Sequence, residues 1–351
     1  MSAQKTLLAY VGCYTTPKRN GRGKGINVYR VGGDGAWMHE QLAPARDNPS
    51  FLHMDAQRNR LYSIHGDGGE ISTYAVGANG HLELLGERSV EGSNPVHLTP
   101  TPDGRWMVVA DYASGNVVTL PIAADGTLGA VTGNLALHGE RGPHPTQQKG
   151  SHPHMTLYDR SGRWLLVPDK GYDRVFTLKV DLQSGALSVV SSMATRPAAG
   201  PRHLAFHPMR PWVYLVGELD ATLIVCRFDA ATGTLTTTQV IDSMPADYTG
   251  EKSCAGIAVS PDGTRVYMSN RPEHTVSVFA VDLESGCVKL ETRLPSGGDK
   301  PRFISLGQGE RSLLVANEAG DNILEIPLAG GAPMLRAETG SPVCIVFKEI
   351  A

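Results

Sequence analysis

Cysteine is scarce in this chain, with five in 351 residues: Cys13, Cys226, Cys254, Cys287 and Cys344. Their number is odd, their spacing is scattered and no CxxC pair occurs, which excludes a disulfide framework and a cysteine-built zinc site and favours a reducing cytoplasm. An excess of one charge is missing too. With 32 Lys and Arg against 35 Asp and Glu, the net charge of -3 gives no reason to expect nucleic acid or an anionic membrane as a partner. No stretch approaches the roughly 18 consecutive apolar residues of a membrane span. No basic-then-apolar leader precedes Leu7, so a soluble, unprocessed cytoplasmic protein is expected.

Familiar catalytic signatures are equally absent. The chain has neither the Gly-x-Ser-x-Gly elbow of serine esterases nor a His-Glu-x-x-His helix. Gly21-Arg-Gly-Lys-Gly25 resembles a phosphate loop in composition only, because it lacks the Gly-x4-Gly-Lys-Ser/Thr spacing that enters a helix. It reads as a mobile basic lid.

What is present is repetition. A phrase beginning at Pro49, Pro95, Pro153, Pro201, Cys254, Pro301 and Pro342 opens a short apolar strand and, where best kept, runs into a turn such as Pro102-Asp103-Gly104 or Pro261-Asp262-Gly263. A second strand follows, as in Val266 to Asn270 or Leu313 to Asn317, then a third, as in Val276 to Phe279. Short strands repeating at a period of roughly 40 to 60 residues mark a radial β array, in which no unit buries its face alone. The 40 Gly and 23 Pro, with little helical periodicity, agree with an all-β chain. Asp34-Gly, Asn79-Gly, Asp125-Gly, Ser184-Gly, Thr232-Gly and Ser285-Gly recur at one phase, as hairpin turns between third and fourth strands.

The seventh phrase, Ser341 to Phe347, supplies a first strand only, while Thr6 to Cys13, Gly25 to Val31 and Trp37 to Leu42 read as the second, third and fourth strands of the same unit. Pairing the two termini closes a ring without a long unpaired edge. The expectation is a seven-bladed β-propeller of four-stranded blades, one domain over residues 1–351.

Register then predicts a site. The residue after each opening position is Ser50, Val96, His154, Arg202, Ala255, Arg302 or Val343, and at the returning end of the second strands stand His65, Asp111, Asp169, Glu218, Asn270 with Arg271, and Asn317 with Glu318. These residues should rim one mouth of the central channel. The long segments Tyr14 to Lys24, His138 to Ser151 and Asp242 to Ser253 should open on the same face. Three arginines, a histidine and a glutamate around one cavity suit a small, anionic, oxygen-rich ligand, since guanidinium groups bind carboxylate or phosphate in fixed planar geometry. The bland reading of each arginine is a salt bridge to Asp111, Asp169 or Glu318 between blades. His154 reads as a general acid or base or a fixed donor. His152 and His154, two apart and with His144 nearby, raise a weak metal signal, but neither metal nor cofactor is expected. His203 and His207 read as strand packing and a turn residue. Tyr112, Tyr172 and Tyr248 are candidate cavity walls or edge packing.

At His152-Pro-His154, Gly200 to Pro208 with Gly217-Glu-Leu219, Ser269-Asn-Arg271 and Lys300 to Phe303, the chain resembles the seven-bladed propeller lactonase family. That family includes bacterial 6-phosphogluconolactonases of the propeller type and fungal carboxy-cis,cis-muconate lactonizing enzymes. The resemblance covers essentially the whole chain and implies catalytic roles for His154, Arg202, Glu218 and Arg271, with a family counterpart for Arg302; Arg302 and, from register, Asp111, Asp169, Asn270 and Asn317 are the expected substrate contacts. It implies hydrolysis of an anionic sugar lactone, with 6-phosphogluconolactone first. Glu218 would deprotonate the attacking water while Arg202 or His154 stabilises the oxyanion. Cycloisomerisation of a carboxylated muconate and a non-catalytic interaction platform remain alternatives. A monomer or weak homodimer is expected. Asp169-Lys170-Gly171 departs from the Asp-Leu-Gly of many relatives, and the extra lysine reads as solvated or as altering substrate preference.

Overall fold

In the computed structural model, residues 5–33 and 35–350 are described, and they form seven four-stranded antiparallel sheets arranged in a ring. Blade 1 is built from Pro342–Ile350, Thr6–Cys13, Ile26–Val31 and Trp37–Ala43, in that order. The C-terminal strand is the innermost and pairs with Thr6–Cys13 along its whole length, so the two ends of the chain close the circle as expected. Blades 2 to 7 begin at Pro49, Pro95, Pro153, Pro201, Cys254 and Pro301, each running outward from the axis. Gly80, Gly126, Gly185, Gly233 and Gly286 adopt positive φ in the hairpins between third and fourth strands, the conformation those turns demand. The Asp34-Gly turn lies partly outside the described residues.

Seven apolar clusters hold the ring, and each is shared by two successive blades. Trp212, Tyr214 and Val216 of blade 5 pack with Met268 and Phe279 of blade 6, and Ala9 and Val11 of blade 1 pack with Leu314 and Ala316 of blade 7. No blade has a core of its own, which is why the repeat must close. Aromatic side chains on the second strands lock the seams with directional bonds. Tyr10 Oη donates to the Gly80 carbonyl of the next blade at 2.8 Å, Tyr62 Oη to Gly126 at 2.7 Å, and the Trp164 indole to Ala230 at 2.8 Å. Each buries a ring and satisfies its polar tip on the neighbouring hairpin.

The innermost strands share an irregularity that the repeat alone does not reveal. Directly after the opening residue, every one of them carries one more residue than the partner strand: Pro49 and Phe51 face His65 and Ile64, Pro201 and Leu204 face Gly217 and Leu215, and Pro301 and Phe303 face Asn317 and Ala316. Blades 1, 3 and 6 repeat the shift. In blade 4 the inner strand is reduced to an isolated bridge, Pro153 with Asp169, and the pair Leu157–Tyr158, again one residue long between them. Such bulges re-aim side chains. The extra residue leaves the ladder and turns toward the axis, which gives the seven register positions their common destination.

All five cysteines are unpaired and all but Cys287 are buried. No helix among the described residues is long and apolar enough to cross a membrane.

Candidate active site in the central channel

The channel mouth holds a cavity of about 180 Å³, lined by Ser50, Val96, His154, Arg202, Arg302 and Val343 at the register positions, with Gly256 in place of Ala255. Phe51, His97, Met155, His203, Ile257, Phe303 and Ile304, which follow these positions in the inner strands, line it too. Tyr14 completes the wall. Six of the seven residues picked by register therefore meet around one space.

Glu218 is the hub. It directly follows the second strand of blade 5 (Trp212–Gly217) and is buried. Lys170 Nζ lies 2.7 Å from its Oε1, Arg271 Nη2 2.9 Å from the same oxygen, and Arg202 Nε 3.0 Å from Oε2. Burial alone would raise its proton affinity, but the charges of Lys170, Arg271 and Arg202 outweigh this and hold the carboxyl well below the usual range. The arginines are fixed from behind as well: Arg202 Nη1 donates to the Ala255 carbonyl at 2.8 Å and Arg271 Nη2 to the Cys254 carbonyl at 3.1 Å. Burial, with Arg302 next to it, pushes Arg202 down to about 9, still cationic at neutral pH. Arg302 lies 3.5 Å from Glu318 and 5.1 Å above the Tyr14 ring. Burial works against its charge, yet Tyr14, Glu318 and Glu218 raise its pKa.

His154 is a neutral imidazole here: burial and then the Arg202 charge hold its pKa well below 6.5. Its ring stands 5.3 Å from that of His203 and 5.5 Å from that of Tyr112. Four buried atoms of this cluster lack a hydrogen-bond partner among the described residues: His154 Nδ1, Arg202 Nε, Glu218 Oε2 and Arg271 Nε. Buried polar groups are ordinarily satisfied. Two of them, Arg202 Nε and Glu218 Oε2, face each other as an ion pair at 3.0 Å, which leaves His154 Nδ1 and Arg271 Nε as the buried polar atoms open to a ligand.

The remaining expected contacts lie apart from this cavity. Asp169 accepts hydrogen bonds from Ser151 Oγ and from the backbone amides of His152, Gly171 and Tyr172, so its carboxylate caps the turn at the end of its strand. Asn270 bonds Ser243, Thr275 and Ser277, and Asn317 bonds Ser296 and Asn322. Asp111 is buried, neither of its oxygens has a partner among the described residues, and burial pushes its pKa up to about 8. Asp169, Asn270 and Asn317 thus spend their side chains on turns and crossovers, and none of the four lines the cavity.

Other expectations change as well. His203 is no mere packing residue; it lines the cavity, and burial and Arg202 keep it neutral. The basic segment is no loose lid. Arg19 forms two 2.7 Å bonds with Asp67 of blade 2, while Arg22 bonds Asp321 and the carbonyls of Glu318 and Ala319 of blade 7, pinning the loop on both sides. Lys170 is not solvated but buried against Glu218. Tyr172 and Tyr248 pack at blade seams, and Tyr14, which the sequence reading overlooked, takes the wall position. His152 stacks on Tyr112 at 4.4 Å, with Nδ1 2.7 Å from the Tyr112 carbonyl. Among the described residues no group of three or more His, Cys, Asp or Glu could hold a metal ion.

Comparison with known proteins agrees with this geometry. The family model "Lactonase, 7-bladed beta-propeller" matches residues 8–347. A 6-phosphogluconolactonase of Bacillus subtilis is 30% identical over 350 residues, covering 97% of this chain and 98% of the relative. One from Pectobacterium carotovorum is 29% identical over 85% of this chain and 86% of its own. Among solved structures, a Lactobacillus plantarum protein superposes with a TM-score of 0.88 at 29% identity, covering 98% and 99% of the two chains. The periplasmic gluconolactonase of Pseudomonas aeruginosa superposes at 0.87 with 27% identity, covering 99% and 100%. A repeat closed by its own termini, with its cations gathered at the axis, thus has its place: the chain belongs to the seven-bladed β-propeller lactonase family.

Proposed function

We propose that this protein is a lactonase that hydrolyses 6-phosphogluconolactone to 6-phosphogluconate. The observation that carries the reading is a buried charge cluster at the channel cavity: Arg202, Arg302 and a neutral His154 line it, Glu218 ties Lys170 and Arg271 to Arg202, and Glu318 pairs with Arg302. Four cations face two carboxylates. Uncompensated buried charge is costly, and an anionic substrate is its natural complement. The names of the relatives in Bacillus and Pectobacterium support the same substrate.

In this mechanism Arg302 and Arg271 hold the anionic groups of the lactone, and Arg202 faces the ring carbonyl. His154 takes a proton from the attacking water. Its low basicity derives first from burial and then from Arg202, and an anion bound beside that guanidinium offsets the second of these, raising proton affinity in the complex. The tetrahedral oxyanion is stabilised by Arg202, an interaction whose loss typically costs about a hundredfold or more. Collapse breaks the ring C–O bond and the leaving alkoxide recovers the proton from the imidazolium. Glu218 is reassigned from base to anchor, because the charges of Lys170, Arg271 and Arg202 hold its proton affinity well below the usual carboxylate range. The buried, unpaired cysteines suit a reducing cytoplasm, where phosphorylated sugars are held.

The test is lactone consumption above the spontaneous rate for 6-phosphogluconolactone, gluconolactone and a carboxymuconolactone, with Arg202→Ala and His154→Gln as controls. Turnover of the phosphorylated lactone that collapses in both variants supports the reading. Wild-type turnover no faster than in buffer rejects it.

A further inference from the structure

Lys170 differs from the arginines around it in where it comes from and how it is held. It follows the second strand of blade 4 (Leu165–Asp169) and crosses the seam to reach Glu218 of blade 5. Its side chain is only 5% exposed, although long ammonium side chains are rarely buried without reason. Its Nζ donates to Glu218 Oε1 at 2.7 Å and to Gln147 Oε1 at 3.0 Å, and it lies 5.6 Å from the centre of the Tyr112 ring.

The backbone beneath it is over-determined. Asp169 binds the amides of Gly171 and Tyr172, the Lys170 amide donates to the His152 carbonyl at 3.0 Å, and the Lys170 carbonyl accepts from Gln148 Nε2 at 2.9 Å. A Cβ on Gly171 would collide with the Gly150 carbonyl, so glycine is required where the crossover presses against this turn. The crossover from His138 to Ser151 thus supplies two glutamines whose contacts converge on one lysine. Its length is explained by what it holds.

The effect of the lysine is electrostatic. Without it, Arg202, Arg271 and Arg302 face Glu218 and Glu318 with an excess of one positive charge; with it, the excess is two. We propose that Lys170 is the specificity-determining positioning residue of this site: by sharing in the neutralisation of Glu218 without itself lining the cavity, it raises the net positive charge that the arginines present, so that the site selects a doubly charged phosphate monoester over the unphosphorylated sugar acid or lactone. It acts through Glu218 and the arginines rather than by touching the substrate. A phosphate monoester carries close to two charges at neutral pH, and a unit charge within this dielectric changes the binding of each by a factor large enough to sort the two ligand classes. The inference rests on the lactonase reading for its substrate, but its charge balance can be measured without turnover.

The experiment is calorimetric binding of 6-phosphogluconate and of gluconate to the wild type, Lys170→Gln and Lys170→Arg, alongside kcat/KM on the two corresponding lactones. Glutamine keeps a hydrogen bond to Glu218 and removes the charge. The expected result is a fall of roughly 10- to 100-fold in the preference for the phosphorylated ligand in Lys170→Gln, with recovery in Lys170→Arg. The acid limb of kcat/KM should also move upward, because Glu218 loses the first of the charges that keep it ionised. A folded Lys170→Gln with unchanged preference, or one that weakens both ligands equally, overturns the proposal. Should that variant not fold, wild-type protein that binds gluconate as tightly as 6-phosphogluconate overturns it alone. Absence of turnover with the binding preference intact would instead reject the lactonase reading and leave the charge selection standing.

Discussion

Arg202 Nε lies 3.0 Å from Glu218 Oε2, yet neither atom has a hydrogen-bond partner among the described residues. The two charges face each other with the N–H turned aside, an ion pair held by its surroundings rather than by its own bond. Removing one member should therefore be expensive. Glu218→Gln leaves Lys170, Arg202 and Arg271 buried without their common counter-ion, and breaking such a pair costs about 3–5 kcal/mol. A urea titration should show that loss together with a fall in turnover of about a hundredfold or more. Full stability in the variant would show that the three cations are satisfied elsewhere.

His154 makes a separable contribution. Its buried Nδ1 has no partner among the described residues, so His154→Gln should leave the melting temperature within a few degrees of wild type while kcat drops about 10²- to 10⁴-fold, the usual worth of a positioned base. An effect confined to KM would assign the imidazole to substrate binding alone.

Two kinds of buried titratable group pull stability in opposite directions with pH. His97 is held down to about 3 by burial, then by His53 and Arg202, and His154 and His203 are depressed too. Each stays neutral in the folded chain while its unfolded counterpart takes up a proton, so their contribution is whole above about pH 6.5 and is lost as the pH falls toward 3. Asp111 is raised to about 8. Its contribution is whole below its unfolded value near 4 and is lost as the pH climbs through 8. Asp111→Asn should accordingly raise the melting temperature at pH 8 and change it little at pH 3.5. An equal gain at both values would mean that packing, not ionisation, is responsible.

The pinned loop should tune affinity rather than stability. Arg19 sits 5.3 Å over the Tyr14 ring and Arg302 5.1 Å from it, so one tyrosine is contacted by two guanidinium groups. Arg19→Ala removes a partly exposed pair with Asp67, worth at most about 1 kcal/mol, but releases Tyr14 from the cavity wall. KM for the lactone should rise about threefold to tenfold at unchanged kcat, a cation–π contact of this kind being worth about 0.5–1 kcal/mol or more. Loss of kcat would place the tyrosine nearer the chemistry.

The fold was largely legible from one strand-level pattern. Seven openings, their turn glycines and the incomplete terminal phrase were enough to give blade number and closure, since each follows from local propensity and from the need to pair an edge. Angular placement in the site was legible for the same reason: His154, Arg202 and Arg302 share a register, and Glu218 and Arg271 a second one. Side-chain direction was not. Asp169, Asn270 and Asn317 share the register of Glu218, and whether such a side chain reaches the site or turns back into its own hairpin depends on hydrogen bonds to partners such as Ser151, Ser243 or Ser296 in distant crossovers. Lys170 stood out in the sequence as a departure from Asp-Leu-Gly, but its burial, like the wall position of Tyr14, did not. Their burial is created by neighbouring blades, and nothing within a few residues of either announces it.

The inner-strand bulge has a consequence for how such a protein can change. Because the extra residue of each blade stands outside the ladder, exchanging Ser50, Val96 or Val343 alters the pocket while every hairpin keeps its pairing. The scaffold therefore offers an array of independently replaceable wall tiles around a fixed frame. New substrates become reachable by one substitution at a time, without re-solving the folding problem.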